Sequence, residues 1–456
     1  MRFDRRRLFA ALAGVASTTA AAAPVLAREG APREAAPRAS IDAASLGLHP
    51  HPTEDQSSAL QRAIDHAAAA RAMLQFGPGT YRAGGLRLPA YAAIAGVAGS
   101  TRFALTGVQN LMTATASDHV SLSGLTFDGG NLPLPDQHGL VHVTEARALR
   151  IAHCEVVNAS GIGIKLDGAE GEIAGNTIRS TDTAIFCLDA HGVTISGNTV
   201  RGAANNGILV WRSTPGHDGT LIADNRIEEI ANKSGGSGQY GNAINVFRAD
   251  DVIVRGNRIR SAAFSAVRGN AASNLQITGN TCTGLGEVAL YAEFGFQGAV
   301  IANNIVDGAA LGVSVTNFNE GGRLAVVQGN LIRNLAPRRP AGTDPNDGAG
   351  VGIGIEADTL VSGNVIENAP HAGITAGWGK YLRDVAITGN MVRNTGYGIT
   401  VSVAPGAGTG LIANNLISGA RLGPIVAMEW NKPVAELTHE GATRYAQLSV
   451  NSNRVR

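Results

Sequence analysis

A short alternation of apolar and polar positions recurs through most of the chain. From residue 170 onward an aliphatic residue is followed by any residue, a third residue that is usually Gly, then Asn, any residue and a second aliphatic. The eleven copies begin at residues 173, 195, 222, 254, 277, 301, 327, 361, 387, 412 and 450. Their Asn residues lie 22 to 38 positions apart. A unit that can be as short as 22 residues has room for strands but not for a helical repeat.

A second short pattern lies between the copies. It is a Gly or Ala before an aliphatic residue, as at Gly163-Ile164, Gly207-Ile208 and Gly373-Ile374. Each unit therefore holds two or three strands of 3 to 5 residues. If units stack at the strand spacing of about 4.8 Å, the aliphatic residues three before and two after each Asn form continuous inward columns. The pattern predicts an all-β parallel solenoid whose core is these columns.

The repeated Asn has a structural explanation. Asn tolerates the left-handed backbone that a sharp bend between strands requires, and its amide can bond to the Asn of the next coil. We therefore expect the eleven Asn residues to form one ladder along the solenoid, and not a binding site.

The N-terminal segment is typical of an export signal. Residues 1–27 have a basic start, a short Ala-rich apolar stretch and small residues at the end. Arg5-Arg6-Arg7-Leu8-Phe9 fits the twin-arginine pattern, which predicts contact with the twin-arginine translocase during export and a periplasmic or secreted protein. The apolar stretch is too short to span a membrane, so we expect no integral membrane protein. Residues 28–52 are predicted to be a Pro/Ala-rich linker before a single domain over 53–456.

An amphipathic helix is expected where this domain begins. Thr53-Glu54-Asp55-Gln56 has the order of a capping box, and it precedes apolar residues at helical spacing, among them Leu60 and Ile64. The pattern predicts a helix of about 16 residues that covers the first coil.

The opening of the domain also carries a resemblance. The stretches LQFGPGTYRAGGLRL (74–88), IAGVAGSTRFAL (94–105) and LSGLTFDGG (122–130) look like the start of polygalacturonase-like proteins. With the repeat, the chain resembles the right-handed parallel β-helix proteins of the pectin-lyase-like superfamily. With the signal, it is similar to the bacterial family of twin-arginine-translocated repetitive proteins. The resemblance implies a single-stranded right-handed parallel β-helix of about 11–13 coils, and that family brings no established activity.

Composition excludes several classes of function. The chain has 37 Lys and Arg against 36 Asp and Glu, and residues 1–27 hold four Arg against one Asp, so the remainder carries about −2. No basic excess for nucleic acid remains. Cys154, Cys187 and Cys282 are too few for a disulfide framework and are expected to be buried thiols. Calcium-binding repeats are missing, so we expect neither metal nor cofactor.

Catalytic residues are sought among the outward positions of the Gly-aliphatic strands. The polygalacturonase motifs NTD, DD, GHG and RIK are absent, which leaves catalysis open. Glu293 and Asp358 are expected in one outward row, two coils and about 10 Å apart, a separation near the wide end for an inverting hydrolase. Arg268 and Tyr291 would serve a lyase or epimerase. A second register starts the coil at Gly352-Ile353, which moves Glu356 into that row and Asp358 out of it.

The same face offers groups that bind sugars. Aromatic rings stack on sugar rings, and charged or amide groups bond their hydroxyls. The expected substrate-binding residues are Trp211, Arg248, Asn317, Glu320 and Trp378. Insertions at 228–241, 333–350 and 430–445 are expected to wall one edge of the face. The sequence therefore predicts a polysaccharide partner, with a hydrolase, lyase or epimerase activity or, alternatively, non-catalytic glycan binding or a structural role in the cell envelope.

Overall fold

The computed structural model describes residues 39–51, 53–236, 238–341, 343, 348–439 and 443–456. Over these residues the chain winds into a parallel β-solenoid of about 14 turns, which confirms the predicted fold class. The predicted signal peptide, residues 1–27, lies outside the described residues. The described chain contains no helix with the length and apolar character that crossing a membrane requires.

Each full coil contributes strands to three faces, which we number in the order in which the chain meets them. The first face is a sheet of sixteen strands, each hydrogen-bonded in parallel to the next coil. Its strands are Ser40–Asp42, Met73–Gln75, Ala93–Ala95, Ser121–Ser123, Leu149–Ala152, Gly171–Ala174, Thr194–Ser196, Leu221–Ala223, Ile253–Arg255, Leu275–Thr278, Gln297–Ala302, Arg323–Gln328, Thr359–Ser362, Val385–Thr388, Gly410–Ala413 and Leu448–Asn451.

The second face is built from the strands that follow the repeated Asn and, in the coils before Asn176, from the strands at the equivalent position. They are Gly79–Ala83, Thr101–Leu105, Thr126–Asp128, Thr199–Arg201, Arg226–Ile230, Arg258–Ala262, Thr281–Leu285, Ile305–Asp307, Leu331–Arg333, Val365–Glu367 and Arg454–Val455. Four longer strands pass the next corner without a break and belong to the second and third faces together. They are Glu155–Asp167, Thr177–Leu188, Met391–Ser402 and Leu416–Glu429.

The third face is built from the Gly-aliphatic strands. Besides the ends of the four long strands, it contains Leu86–Arg87, Met112–Thr115, Gly139–Thr144, Asn206–His217, Ile244–Asp250, Val267–Asn270, Val288–Glu293, Leu311–Val315, Val351–Ile355 and Ala372–Ala376. One further strand, Lys432–Glu436, pairs antiparallel with Leu416–Glu429 and covers the edge of this face.

A helix closes the N-terminal end. It runs over Ser57–Ala69 and buries one apolar side, including Leu60 and Ile64, against the first coils. The expected capping box is not formed, because Asp55 Oδ1 accepts the Ser57 N–H bond at 2.9 Å instead. Short 3-10 helices occur at Ala43–Leu46 and Phe318–Glu320. Part of the predicted linker belongs to the solenoid, since Ser40–Asp42 pairs with the first-face strand Met73–Gln75.

The Asn ladder runs along the corner between the first and second faces. From Asn176 to Asn415, the backbone N–H and the side-chain amide of each Asn donate to the Oδ1 of the next at 2.9–3.0 Å, and the last acceptor is Asn453. Cys154 occupies the ladder position one coil earlier, where its N–H donates to Asn176 Oδ1. The expected ladder is therefore present.

The bend at this corner uses a different residue from the one expected. The left-handed residue is the one before the ladder Asn, as at Gly279 with φ 66° and Asn303 with φ 58°. The ladder Asn itself keeps negative φ. A Gly is common before the Asn because it has no Cβ to oppose positive φ.

The predicted columns form the core. Ile277 and Cys282, three before and two after Asn280, are fully buried, and the equivalent residues of the other ladder coils lie in line with them. All three cysteines are free and buried among apolar side chains. Burial raises the pKa of Cys154 to about 11 and that of Cys282 to about 12, so both remain thiols at neutral pH.

Candidate functional site

The strand pairing fixes which side chains line up on the outside of the third face. One outward row runs through His142, Lys165, Phe186, Leu209, Asn245, Arg268, Tyr291, Ser314, Gly354, Thr375 and Thr400. The first predicted register, which aligns Asp358 with Glu293, would put Glu356 in this row, but Gly354 occupies that position. Because Val315 pairs with Ile355, Glu356 falls in line with Thr316 in the neighbouring row, two coils from Glu293. The second of the two predicted registers is correct.

Asp358 does not share a row with Glu293. It lies at the corner that leads into the first-face strand Thr359–Ser362, with φ 48°. Its carboxylate accepts hydrogen bonds from Arg383 Nη2 at 2.6 Å and from Arg323 Nε at 2.5 Å. These bonds, the one with Arg383 foremost, hold the pKa of Asp358 down to about 2. The expected pair of Glu293 and Asp358 is therefore not assembled, and Asp358 joins neighbouring coils instead.

The ion pairs of Asp358 with Arg383 and Arg323 should make part of the free energy of unfolding depend on pH in acid. The pKa of Asp358 is lower in the folded chain than the value of about 3.9 in an unfolded chain. Its contribution is therefore complete above pH 4 and is lost as pH falls from about 4 to about 2. The loss should be about 1 kcal/mol, since both arginines are partly exposed to water. Urea unfolding of wild type and Asp358→Asn between pH 2 and pH 5 measures it, and parallel curves would contradict the prediction.

Glu293 lies in a buried network of charges. Its side chain is 2% exposed. Its Oε1 accepts from Arg268 Nε at 2.6 Å and from Asn270 Nδ2 at 2.9 Å, and its Oε2 accepts from Arg268 Nη2 at 3.1 Å. The guanidinium also lies 5.2 Å from the ring centre of Tyr291. Burial, and next the Glu293 carboxylate, raise the pKa of Tyr291, so its phenol is neutral at physiological pH.

The network extends to two residues that the sequence did not identify. Glu287 Oε2 lies 3.5 Å from Arg268 Nη1, and Glu287 Oε1 lies 2.7 Å from Arg339 Nη1. Arg339 belongs to the insertion at 333–350, so this ion pair fastens the insertion onto the third face. Among the described residues, two arginines and two glutamates thus lie together in a site that is largely closed to water. No local pattern links Arg339 to Glu287, because they are 52 residues apart.

Glu356 has a different environment. Its Oε2 accepts the Phe318 N–H bond at 2.7 Å, and burial raises the pKa of Glu356 despite that bond. The structure brings it together with the predicted binding residues Asn317 and Glu320. Asn317 precedes the short helix Phe318–Glu320 and accepts the Phe294 N–H bond, whereas Glu320 is exposed on the helix. Burial therefore favours the protonated form of Glu356.

An aromatic cluster lies nearer the N-terminal end of the face. The Trp211 ring meets Phe186 edge-on at 5.2 Å and Phe247 at 5.6 Å, with one ring from each of three successive coils. Trp211 Nε1 donates to Asn245 Oδ1 at 3.2 Å. The exposed Arg248 guanidinium lies 4.7 Å from the ring centre of Phe247. We call Phe186, Trp211 and Phe247 the aromatic platform; Phe186 is buried, and two predicted binding residues, Trp211 and Arg248, both lie against the Phe247 ring.

A polar cluster occupies the two coils directly before the platform. His142 Nε2 lies 2.7 Å from Asp167 Oδ2, and Lys165 Nζ lies 3.3 Å from the same oxygen. Lys165 also donates to the Gln137 carbonyl at 2.8 Å. The Gly-aliphatic pattern does not find His142, because Gly139-Leu140 would put Val141 outward, whereas the pairing of Val141 with Ile164 puts His142 outward in line with Lys165. The described residues contain no group of three or more His, Cys, Asp or Glu that could hold a metal ion.

The insertions wall both edges of the face. Those at 228–241 and 333–350 lie between the second and third faces, as expected. The one at 430–445 was expected at the same edge, but it follows the third-face end of Leu416–Glu429 and lies at the opposite corner. Trp378 lies at that opposite corner too, in the turn after Ala372–Ala376. It is therefore not beside Trp211, from which it is separated by six coil steps.

Comparison with known proteins agrees with this architecture. The model of the family described as "Right handed beta helix region" matches residues 109–227 and 214–382. The "Probable ABC transporter binding protein NosD" of Pseudomonas aeruginosa is 34% identical over 108 residues, which is 24% of this chain and 24% of that protein. The match thus spans about a quarter of this curated relative.

Two solved structures have a similar fold. The pre-mature gene product 12 of bacteriophage phi29 is 14% identical over 85% of this chain and 55% of that chain, with a TM-score of 0.51. The A-module of the Azotobacter vinelandii mannuronan C-5 epimerase AlgE6 is 16% identical over 91% of this chain and 99% of that chain, with a TM-score of 0.46. At such identities the likeness concerns the fold alone. From the family match over more than half of its length, the chain belongs to the right-handed β-helix family.

Proposed function

We propose that this protein is exported and binds a polysaccharide along its third face. The observation that carries the proposal is the aromatic platform, in which the half-buried rings of Trp211 and Phe247 come from consecutive coils and the exposed Arg248 guanidinium lies beside Phe247. Aromatic rings offer an apolar surface to the C–H side of a sugar, while a guanidinium group bonds its hydroxyl groups. The insertions at the two edges of the third face would direct a bound polysaccharide along the solenoid axis.

The geometry favours binding over cleavage. A glycoside hydrolase requires two carboxyl groups that both reach the scissile bond. Both oxygens of Glu293 are already engaged by Arg268 and Asn270, and Asp358 lies at a corner between two arginines. The charge of Arg268, which a lyase or epimerase would use to stabilise an enolate, is balanced by carboxylates. Glu356 is the carboxyl group left for a catalytic test.

Replacing Trp211 by alanine should weaken glycan binding at least tenfold. The change removes the central ring of the platform and the Nε1 bond that orients Asn245. Tryptophan is frequent among the residues that dominate binding free energy, and replacing such a residue by alanine commonly weakens binding by more than 1 kcal/mol. Calorimetric titration with a panel of acidic and neutral bacterial and plant polysaccharides measures the change. Tyr91→Ala is the matched control, since this ring stacks on His119 away from the third face.

Equal affinity of wild type and Trp211→Ala for every glycan that binds would contradict the proposal. Mass spectrometry of the same mixtures distinguishes binding from turnover. Intact glycan is the expected result. Fragments with one added water would indicate hydrolysis, and fragments with unsaturated ends would indicate elimination; Glu356→Gln would then be the first variant to assay.

A further inference from the structure

Two tryptophan rings meet at the corner between the third and first faces. Trp378 lies in the turn after the strand Ala372–Ala376, and Trp430 lies in the turn that joins Leu416–Glu429 to Lys432–Glu436. The ring centres are 4.5 Å apart, with an angle of 84° between the planes. The rings are far from buried, since Trp378 is 50% exposed and Trp430 is 47% exposed. The pair therefore presents two perpendicular apolar surfaces to water.

The local backbone is adapted to this pairing. Trp430 has φ 55°, which is rare for a bulky residue and costs energy. Gly379 has φ 58°, and a Cβ at this position would lie 2.4 Å from ring atoms of Trp430. Ser402 Oγ donates to the Gly379 carbonyl at 2.5 Å and holds the turn in place. Because both rings remain half exposed, their burial within the protein offsets little of the cost of this backbone conformation. We therefore interpret the pair as a surface for a ligand.

Polar residues flank the two rings along the chain. Trp378 Nε1 lies 3.4 Å from Asn431 Oδ1, so the amide is held at the edge of the pair. Lys380, two residues after Trp378, and Lys432, two residues after Trp430, are exposed. Perpendicular rings with an amide and two ammonium groups suit a sugar ring, whose one side is apolar and whose rim carries hydroxyl or acidic groups. A flat protein partner would instead favour a broad apolar patch.

The pair is in line with the aromatic platform. Trp211 is aligned, coil by coil, with Phe247, Asn270, Glu293, Thr316, Glu356 and Gly377, and Trp378 follows directly. Six steps at the strand spacing of about 4.8 Å place the two aromatic sites about 29 Å apart along the solenoid. A short oligosaccharide can occupy one of them, whereas a polymer along the axis reaches both.

We propose that Trp378 and Trp430 form a second carbohydrate subsite, and that one glycan chain parallel to the solenoid axis occupies this subsite and the aromatic platform together. The inference rests on the proposed glycan-binding function and adds the direction and the minimum length of the ligand. Binding at the second subsite is then intramolecular, so affinity should increase at least tenfold once a chain is long enough to span both.

The test uses the full chain and size-fractionated fragments of whichever polysaccharide binds in the titrations above. Wild type should bind long fragments at least tenfold more tightly than short ones. Trp430→Ala should lose this difference while keeping the affinity of the platform for short fragments. Gly379→Ala, which keeps both indoles but displaces Trp430, should have the same effect. Circular dichroism and thermal unfolding establish that each variant retains the fold.

The outcomes separate the two proposals. Equal affinity of wild type, Trp430→Ala and Trp378→Ala for long fragments would overturn the second subsite and leave the platform standing. Loss of binding in Trp211→Ala with the subsite variants unaffected would likewise remove the second subsite alone. Loss in the subsite variants with Trp211→Ala unaffected would overturn the platform and the shared ligand. Since Trp211, Trp378 and Trp430 are the three tryptophans of the chain, Trp211→Phe leaves the fluorescence of the Trp378–Trp430 pair alone to report on the second subsite, and the double variant Trp378→Phe with Trp430→Phe leaves Trp211 alone to report on the platform.

Discussion

A chain carrying Asn280→Asp is expected to unfold with a free energy about 4 kcal/mol below that of wild type at pH 7. Asn280 is 1% exposed. Its Nδ2 donates to Asn304 Oδ1 at 3.0 Å and to the Val254 carbonyl at 3.1 Å. An aspartate has the same shape but no amide hydrogens, so it would place a charged oxygen against two acceptors in a dry corner. The ladder makes this small change severe.

The loss of unfolding free energy in Asn280→Asp should depend on pH. Burial would raise the pKa of the introduced carboxyl group above its value of about 3.9 in the unfolded chain. The variant is therefore closest to wild type below pH 4, where the group is protonated in both states, and it loses stability as pH rises through the raised pKa. Urea unfolding from pH 3.5 to pH 8 measures this trend. Asn131→Asp is the control, since Asn131 is exposed and outside the ladder; equal losses in both variants would count against the ladder.

Removing Glu293 should be nearly as damaging. Glu293→Leu removes the carboxylate that accepts two hydrogen bonds from the buried guanidinium of Arg268, and Glu287, which lies 3.5 Å from that guanidinium, also bonds Arg339. Breaking a buried ion pair on one side typically costs about 3–5 kcal/mol. The expected result is a fall of this size in the free energy of unfolding, measured with urea at pH 7.

The double variant Arg268→Met with Glu293→Leu is the decisive comparison. Removing both charged groups leaves no uncompensated charge between them, so most of the lost stability should return. A double variant less stable than Glu293→Leu would show that Arg268 stabilises the fold by other contacts. Any loss of activity in Glu293 variants must be judged against this destabilisation, because a misfolded third face cannot bind a ligand.

The solenoid was predictable because its pattern is local. The six-residue repeat at 277–282 is enough to predict that Ile277 and Cys282 are buried and that Asn280 joins the ladder. The outward row of the third face was equally predictable from Lys165 to Ser314. It failed at Glu356 because Val351-Gly352-Ile353-Gly354-Ile355 carries the Gly-aliphatic pattern twice. Pairing with Leu311–Val315 decides between the two registers, and that is a contact between coils.

The features that were not predicted depend on contacts between residues distant in sequence, or on a strand that lacks the Gly-aliphatic pattern. The place of Trp430 is hard to predict because its coil reads Gly423-Pro424-Ile425, where other coils have Gly or Ala directly before the aliphatic residue. The pattern therefore hides the end of the third-face strand, and the insertion after it is expected at the wrong corner. The ion pair of Glu287 with Arg339 is likewise not predictable from the sequence, since 52 positions, with six strands among them, separate the two residues.

The corner that carries the Asn ladder has the same length in every ladder coil, whatever the number of residues in the coil. Consecutive ladder Asn residues are 22 to 38 positions apart, yet two residues always separate the first-face strand from the second-face strand at this corner. All variation in length is therefore taken up at the other two corners. A whole coil could be duplicated or excised between equivalent Asn residues without interrupting the hydrogen-bonded column. The fold thus offers a modular backbone on which the length of the outer face, and with it the reach of any bound polymer, can change one coil at a time.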